Sequence, residues 1–389
     1  MGMNVNTTSG RLCVAAGVGS ALIAMSACGG GSTASSGSSS TPIVIGIVMP
    51  YSGAESYYGQ YADNAWTLAM RQYGSSIGGH PIKLVKADSK CEPTAAVTAV
   101  HDVLAQNPVA IMAPACSADT LAIIPIITAA HVPLASENLA VKVTQQGSHY
   151  VWDVQPNDGV TNKLFGAWLI QQGYTKVGIV HDTTAYGAGN ASTLSDSLTA
   201  AGHPPVVDVS YDLSSTDYSG QILALKNASI SAAYLEGYDL QSGQLVKQAR
   251  SLGLTVPLFA PTSATDSTFL SAAGTASAEG TTVVTSFLAS SSPAATTYAQ
   301  ATQAFGYAAN EDSAGIYEDA VVILKALQKV GAGASSTQLN SAIGAITLTG
   351  LPEGQVSFQS DGEVVNPQVI VTKWQNGEVI EVTVLSGQG

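Results

Sequence analysis

Charge is what this sequence has least of. Lys, Arg, Asp and Glu make up 11% of the 389 residues, and only 14 of them are Lys or Arg. That scarcity argues against nucleic acid as a partner, because nucleic acids are held by clustered Lys and Arg that neutralise phosphates. The basic residues here are scattered and the net charge is −13. Beyond residue 27 there is also no apolar run near the ~20 residues that a membrane-spanning helix needs. The mean hydropathy of +0.22 therefore comes from short Ala, Val, Ile and Leu segments, and the mature chain is expected to be soluble. A chain of this length exceeds one ordinary core and predicts two domains.

Enzyme signatures are missing too. The chain has no GxSxG, no HExxH, no Walker A loop and no GxGxxG after a strand. Its histidines (80, 101, 131, 149, 181 and 203) lack metal-ligand spacing, so neither a metal nor a cofactor is expected. His181, before Asp182 at a strand end, reads as a hydrogen-bonded structural histidine. An enzyme is not expected, and a surface hydrolase is the outlying alternative. One stretch keeps the question open, APACSADT at 113–120, where Cys116 and Ser117 stand at a strand-to-helix junction. They are either a nucleophile pair or a structural thiol beside a helix cap.

The amino terminus reads as a targeting segment. Arg11 precedes the apolar LCVAAGVGSALIAM, followed by Ser26, Ala27 and Cys28, so residues 1–27 are expected to be a signal peptide. Met25-Ser26-Ala27-Cys28 resembles a bacterial lipobox, with Met25 where Leu is usual, and this implies lipidation of Cys28. The alternative is an ordinary signal with a chance cysteine. Residues 28–41 form a Gly/Ser tether, which places the domain on the outer side of a membrane. Cys13 lies in the signal, which leaves Cys91 and Cys116 as an even pair in an oxidising compartment. That favours a disulfide, worth ~3–4 kcal/mol on the chain-entropy estimate.

From residue 42 the pattern alternates. Strand-like runs at 42–50, 80–88, 108–114 and 132–136 enclose helical spacings at 56–73, 92–106 and 118–130. The alternation restarts after 149–156 and runs on to 281–288, with further helices at 294–309, 313–331 and 336–345. This order argues for α/β architecture with parallel sheets covered on both faces. Two such sets in succession predict two similar lobes. Asn376-Gly377 between apolar runs near the end predicts a hairpin.

Open α/β sheets bind ligands beyond the carboxyl ends of their strands. Ser117 falls at such an end and would cap the next helix, whose N-terminus favours an anion. Tyr57 and Tyr58 after the first strand, Tyr186 after 176–182 and Tyr238 after 232–236 supply an aromatic wall. Together they suit a small organic ligand with a carboxylate.

The stretches IGIVMPYSGAESYYGQYADNAWTLAM and GGHPIKLVKADSKCEPTAAV, then CSADT, VPLASENLA, VGIVHDTTAYGAGN, AAYLEGYD, LVKQARSLGL and GQVSFQSDGEV, carry a resemblance over roughly 42–375. They resemble the type I periplasmic binding proteins of ABC transporters, in particular the branched-chain amino-acid (Leu/Ile/Val) receptors. The resemblance implies a non-enzymatic protein of two Rossmann-like lobes, with parallel sheets joined by a three-crossing hinge, that closes around a ligand for a membrane permease. The expected lobes are 42–155 with 287–350, and 156–286 with 351–389. It also implies a Cys91–Cys116 disulfide, a carboxylate site at Ser117 and the 136–140 loop (best matches Asn138 and Ala140), and a cleft lined by Tyr58, Tyr186 and Tyr238. A monomer is expected.

At Ser263 the chain departs from the group, which has a glutamate there for the ligand's ammonium. Either Glu236, Asp239 or Asp266 takes over that pairing, or the ligand is an amide, a urea-like compound or a small organic acid. A ligand sensor of the same fold is a further alternative to transport.

Overall fold

The computed structural model describes residues 40–385. The expected signal peptide, the lipid site Cys28 and the tether as far as residue 39 lie outside the described residues. The first strand, β1 (Ile43–Met49), is almost continuously apolar, as a strand covered on both faces must be. It is joined by β2 (Ser76–Ile77), β3 (His80–Asp88), β4 (Ala110–Met112), β5 (Leu134–Ser136) and β6 (Val151–Asp153) in the order β2-β3-β1-β4-β5-β6. All neighbours are parallel except β2 beside β3.

The second sheet contains β7 (Val177–Asp182), β8 (Val207–Tyr211), β9 (Ala232–Leu235), β10 (Leu258–Ala260) and β11 (Thr282–Thr285). These run parallel in the order β11-β10-β9-β7-β8. A separate antiparallel pair follows, β12 (Thr347–Leu351) with β13 (Gly354–Ser357). Then β14 (Val369–Gln375) and β15 (Glu378–Leu385) extend the second sheet antiparallel beyond β11. Asn376 and Gly377 turn between them with φ of 55° and 82°, the positive pair that a two-residue I′ hairpin requires.

Helices α1 (Tyr57–Tyr73), α2 (Pro93–Leu104) and α3 (Ser117–Ala130) cover the first sheet. On the second lie α4 (Asp158–Gln171), α5 (Ala185–Ala200), α6 (Ser219–Asn227) and α7 (Asp239–Ser251). The short α8 (Ser267–Ala273) and α9 (Thr275–Ala278) follow β10, and the sequence pattern does not anticipate them. The chain then returns to the first lobe as α10 (Pro293–Gln303), α11 (Glu311–Val330) and α12 (Ser336–Gly344). There α11 buries Ile316, Val321 and Leu324 in the same core as Ile45, Ile47 and Trp66. Leu351 and Val356 belong to that core as well. The final return to the second lobe therefore comes after Ser357, later than the expected boundary at 350.

The chain thus crosses between the lobes three times, and buried polar groups fasten the crossings to each other. Asn157 donates to Glu363 at 2.7 Å, joining the first crossing to the third. Gln155 donates to the Glu353 carboxylate at 2.6 Å and to the Glu311 carbonyl at 3.0 Å. In α3, Pro125 has no N–H for the Leu121 carbonyl. The Gln146 amide donates to that carbonyl instead, at 3.4 Å.

Candidate functional site

Between the lobes lies a narrow void. The first lobe lines it with Tyr58, Ala115, Ser117, Glu137, Leu139 and Asp312, and the second with Tyr186, Tyr238 and Ser263. Each of these side chains is delivered by the end of a strand or the start of a helix. Tyr58 sits in the first turn of α1. Tyr186 opens α5, whose N-cap Thr184 accepts from the Gly187 amide. Gly187 is needed there, because a Cβ would stand 2.5 Å from the Asp182 carboxylate. Tyr238 holds the N-cap position of α7, and its ring lies 5.0 Å from that of Tyr186, forming one aromatic wall.

Opposite that wall is the start of α3. Cys116, not Ser117, occupies the N-cap position, with an extended backbone. Its carbonyl accepts from the amides of Asp119 and Thr120. Ser117 is the first helical residue, so its hydroxyl faces the void and does not serve as the cap. Helix N-termini leave backbone N–H groups free, and with the hydroxyl they suit an anionic oxygen. Cys116 is disulfide-bonded to Cys91, with the Cα atoms 5.5 Å apart, so it is no free nucleophile.

The loop after β5 faces the void with other residues than expected. Asn138 turns inward, its amide donating to the Pro114 carbonyl at 2.8 Å and to the Thr120 hydroxyl at 3.2 Å. Ala140 is buried in the core under the first sheet. Glu137 and Leu139 line the void instead, because an extended loop alternates its side chains and the expected register is off by one.

Ser263 is in place, but its hydroxyl already donates to the Gly237 carbonyl at 2.9 Å. None of the three acids proposed to stand in for the missing glutamate lines the void. Glu236 is fully buried and neither of its oxygens has a hydrogen-bond partner. Asp239 begins α7 and is likewise buried and unpartnered. Asp266 spans the lobes, accepting from Tyr61 of α1 at 2.7 Å and from Asn310 at 2.5 Å.

The acids that do line the void are Glu137 and Asp312, both from the first lobe. Burial, then the nearby charges of Asp312, Glu311 and Glu353, pushes the Glu137 carboxyl well up. Burial, then Asp266 and Glu55, pushes Asp312 up to about 7. No Lys, Arg or His lines the void to offset them. Asp312 does carry a sequence signal: Asn310-Glu311-Asp312 is an N-cap followed by two acids in a chain poor in charge. That signal reads equally well as ordinary helix-dipole compensation.

A family model described as periplasmic binding protein matches residues 42–378. The chain is 24% identical over 341 residues to the leucine-, isoleucine-, valine-, threonine-, and alanine-binding protein of Pseudomonas aeruginosa, covering 85% of this chain and 90% of the relative. Its fold is similar to that of a leucine-binding protein, LivK, from Thermotoga maritima, with a TM-score of 0.82 at 23% identity over 89% of this chain and 99% of that one. It is similar also to a solute-binding protein of an ABC transporter from R. palustris in complex with benzoate, with a TM-score of 0.82 at 17% identity over 89% and 96% of the two chains. The chain belongs to the type I periplasmic binding proteins, the family that includes the branched-chain amino-acid receptors.

Proposed function

We propose that the chain is an extracytoplasmic solute-binding lipoprotein, anchored through Cys28, that closes around a small amino-acid-type ligand and passes it to an ABC permease. The family is one of solute binding, not catalysis. The observation that carries the ligand reading is the void itself, whose walls come from both lobes. A ligand that touches both lobes only when they are closed shifts the population towards closure. Ser117 and the start of α3 suit its carboxylate, and the first-lobe acids suit its ammonium group. A ligand with a carboxylate alone, like the benzoate of the R. palustris protein, would meet the acids Glu137 and Asp312 with no basic side chain on the wall. No helix among the described residues is long and apolar enough to cross a membrane.

A thermal-shift screen of amino acids, amides and small acids tests the reading, since a ligand bound by the folded state alone raises the melting temperature. Amino acids are expected to shift it. A shift only with simple carboxylic acids would refute the reading. Labelling with a radioactive fatty-acid precursor is expected to mark the wild-type chain and not Cys28→Ser.

A further inference from the structure

The site has more acidic groups than an ordinary amino acid needs. A neutral amino acid brings one carboxylate and one ammonium group. The start of α3 with Ser117 takes the carboxylate, and a single acid suffices for the ammonium. The void presents two acids, Glu137 and Asp312, with no basic side chain on its walls. Glu137 is 5% exposed and its Oε1 has no hydrogen-bond partner. The Tyr186 hydroxyl, on the opposite wall and 4% exposed, lies against Ser263 and the buried Glu236. A buried carboxylate oxygen left without a donor is costly unless something brings a donor to it. Glu55 and Asp239 stand close behind Tyr58, so further acids surround the same void. Three tyrosine rings around the same void add faces that attract an organic cation.

We propose that the ligand carries a second cationic nitrogen beyond its α-ammonium, making it a basic amino acid, with Glu137 and Asp312 of the first lobe sharing its two positive groups beneath the tyrosines. This rests on the amino-acid reading above and narrows it. It also accounts for Ser263: the acids on the walls of the void belong to the first lobe, and the second lobe lines it with Tyr186, Tyr238 and Ser263.

The test is calorimetry on the purified full chain in mild detergent, with lysine, ornithine and arginine set against leucine and against benzoate. At least one basic amino acid is expected to bind about tenfold tighter than leucine, or better, the scale of one charge pair. Glu137→Gln and Asp312→Asn are each expected to lower that affinity by about tenfold or more. The melting temperature of the unliganded variants should hold or rise, because a carboxyl whose ionisation burial disfavours has been replaced. Leucine binding as tightly as every basic amino acid overturns the inference and leaves the amino-acid reading intact. Benzoate binding while no amino acid does overturns both. Unchanged affinity in both variants, with a basic amino acid bound, overturns the assignment to Glu137 and Asp312.

Discussion

Ser117 and Gly315 show how single positions shape the cleft. Ser117 contributes its hydroxyl to the void without serving as the cap of α3. Ser117→Ala should therefore weaken ligand binding by about 1.5–3 kcal/mol, the worth of one hydrogen bond to a charged group, with little change in melting temperature. Equal affinities by calorimetry would remove Ser117 from the site. Gly315 works indirectly, because it gives α11 a bare face against the first lobe. A Cβ there would stand 2.8 Å from Cβ of Glu137 and 2.5 Å from the Gln155 amide. Gly315→Ala is expected to cost about 1–3 kcal/mol through overpacking and to weaken ligand binding by displacing Glu137. A chemical denaturation midpoint equal to wild type would show that the neighbours yield freely.

At the scale of elements, the junction between β3 and α2 is held to the start of α3 by the Cys91–Cys116 bond. Lys90 and Cys91 both adopt positive φ, 59° and 58°, a conformation non-glycine residues take at some cost. Asp88 helps to hold that turn, accepting from the amides of Lys90 at 3.0 Å and Tyr51 at 2.8 Å. Replacing both cysteines by serine should lower stability by about 3–4 kcal/mol on the chain-entropy estimate. Ligand affinity should fall as well, since the free start of α3 would no longer be fixed against the cleft. Calorimetric melting with and without reductant checks the first effect, and no reductant-dependent shift would contradict it.

For the molecule as a whole, buried acids dominate the pH response. Burial is the leading cause that raises Asp312 to about 7, Asp119 to about 7 and Glu318 to about 8. Asp312 faces Asp266 and Glu55, and it adds to the charge felt by Asp239, Glu137, Glu311 and Glu353. Carboxyls raised above the usual value of about 4 are protonated in the folded state while the unfolded chain has already lost its protons. Their stabilising contribution is complete below about pH 4 and is lost as pH rises through the folded values. The unliganded protein should therefore lose stability between about pH 5 and 8, and Asp312→Asn should flatten the slope. Urea midpoints measured across that window check this, and a midpoint that rises with pH would contradict it.

Much of the scaffold was legible because its signals are local. The apolar run of β1, the helical spacing that became α2 and Asn376-Gly377 each state their structure within a few residues. The short helices after β10 carry no such period, and the β12–β13 pair keeps to the first lobe through burial of Leu351 and Val356, which no local pattern announces. In the cleft, Tyr58, Ser117, Tyr186 and Tyr238 were legible as strand-end or helix-start positions, and Ser263 through the family resemblance. The inward turn of Asn138 and the arrival of Asp312 from some 170 residues further along were not.

The sequence by itself determined the α/β alternation, the two lobes and the family, because hydrophobic period and motif order are properties of neighbouring residues. Which acids share the void was decided only by tertiary structure. Glu137 and Asp312 meet there because the chain returns to the first lobe after β11 and lays α11 beside β5, and a charge is felt across space whatever the distance along the chain.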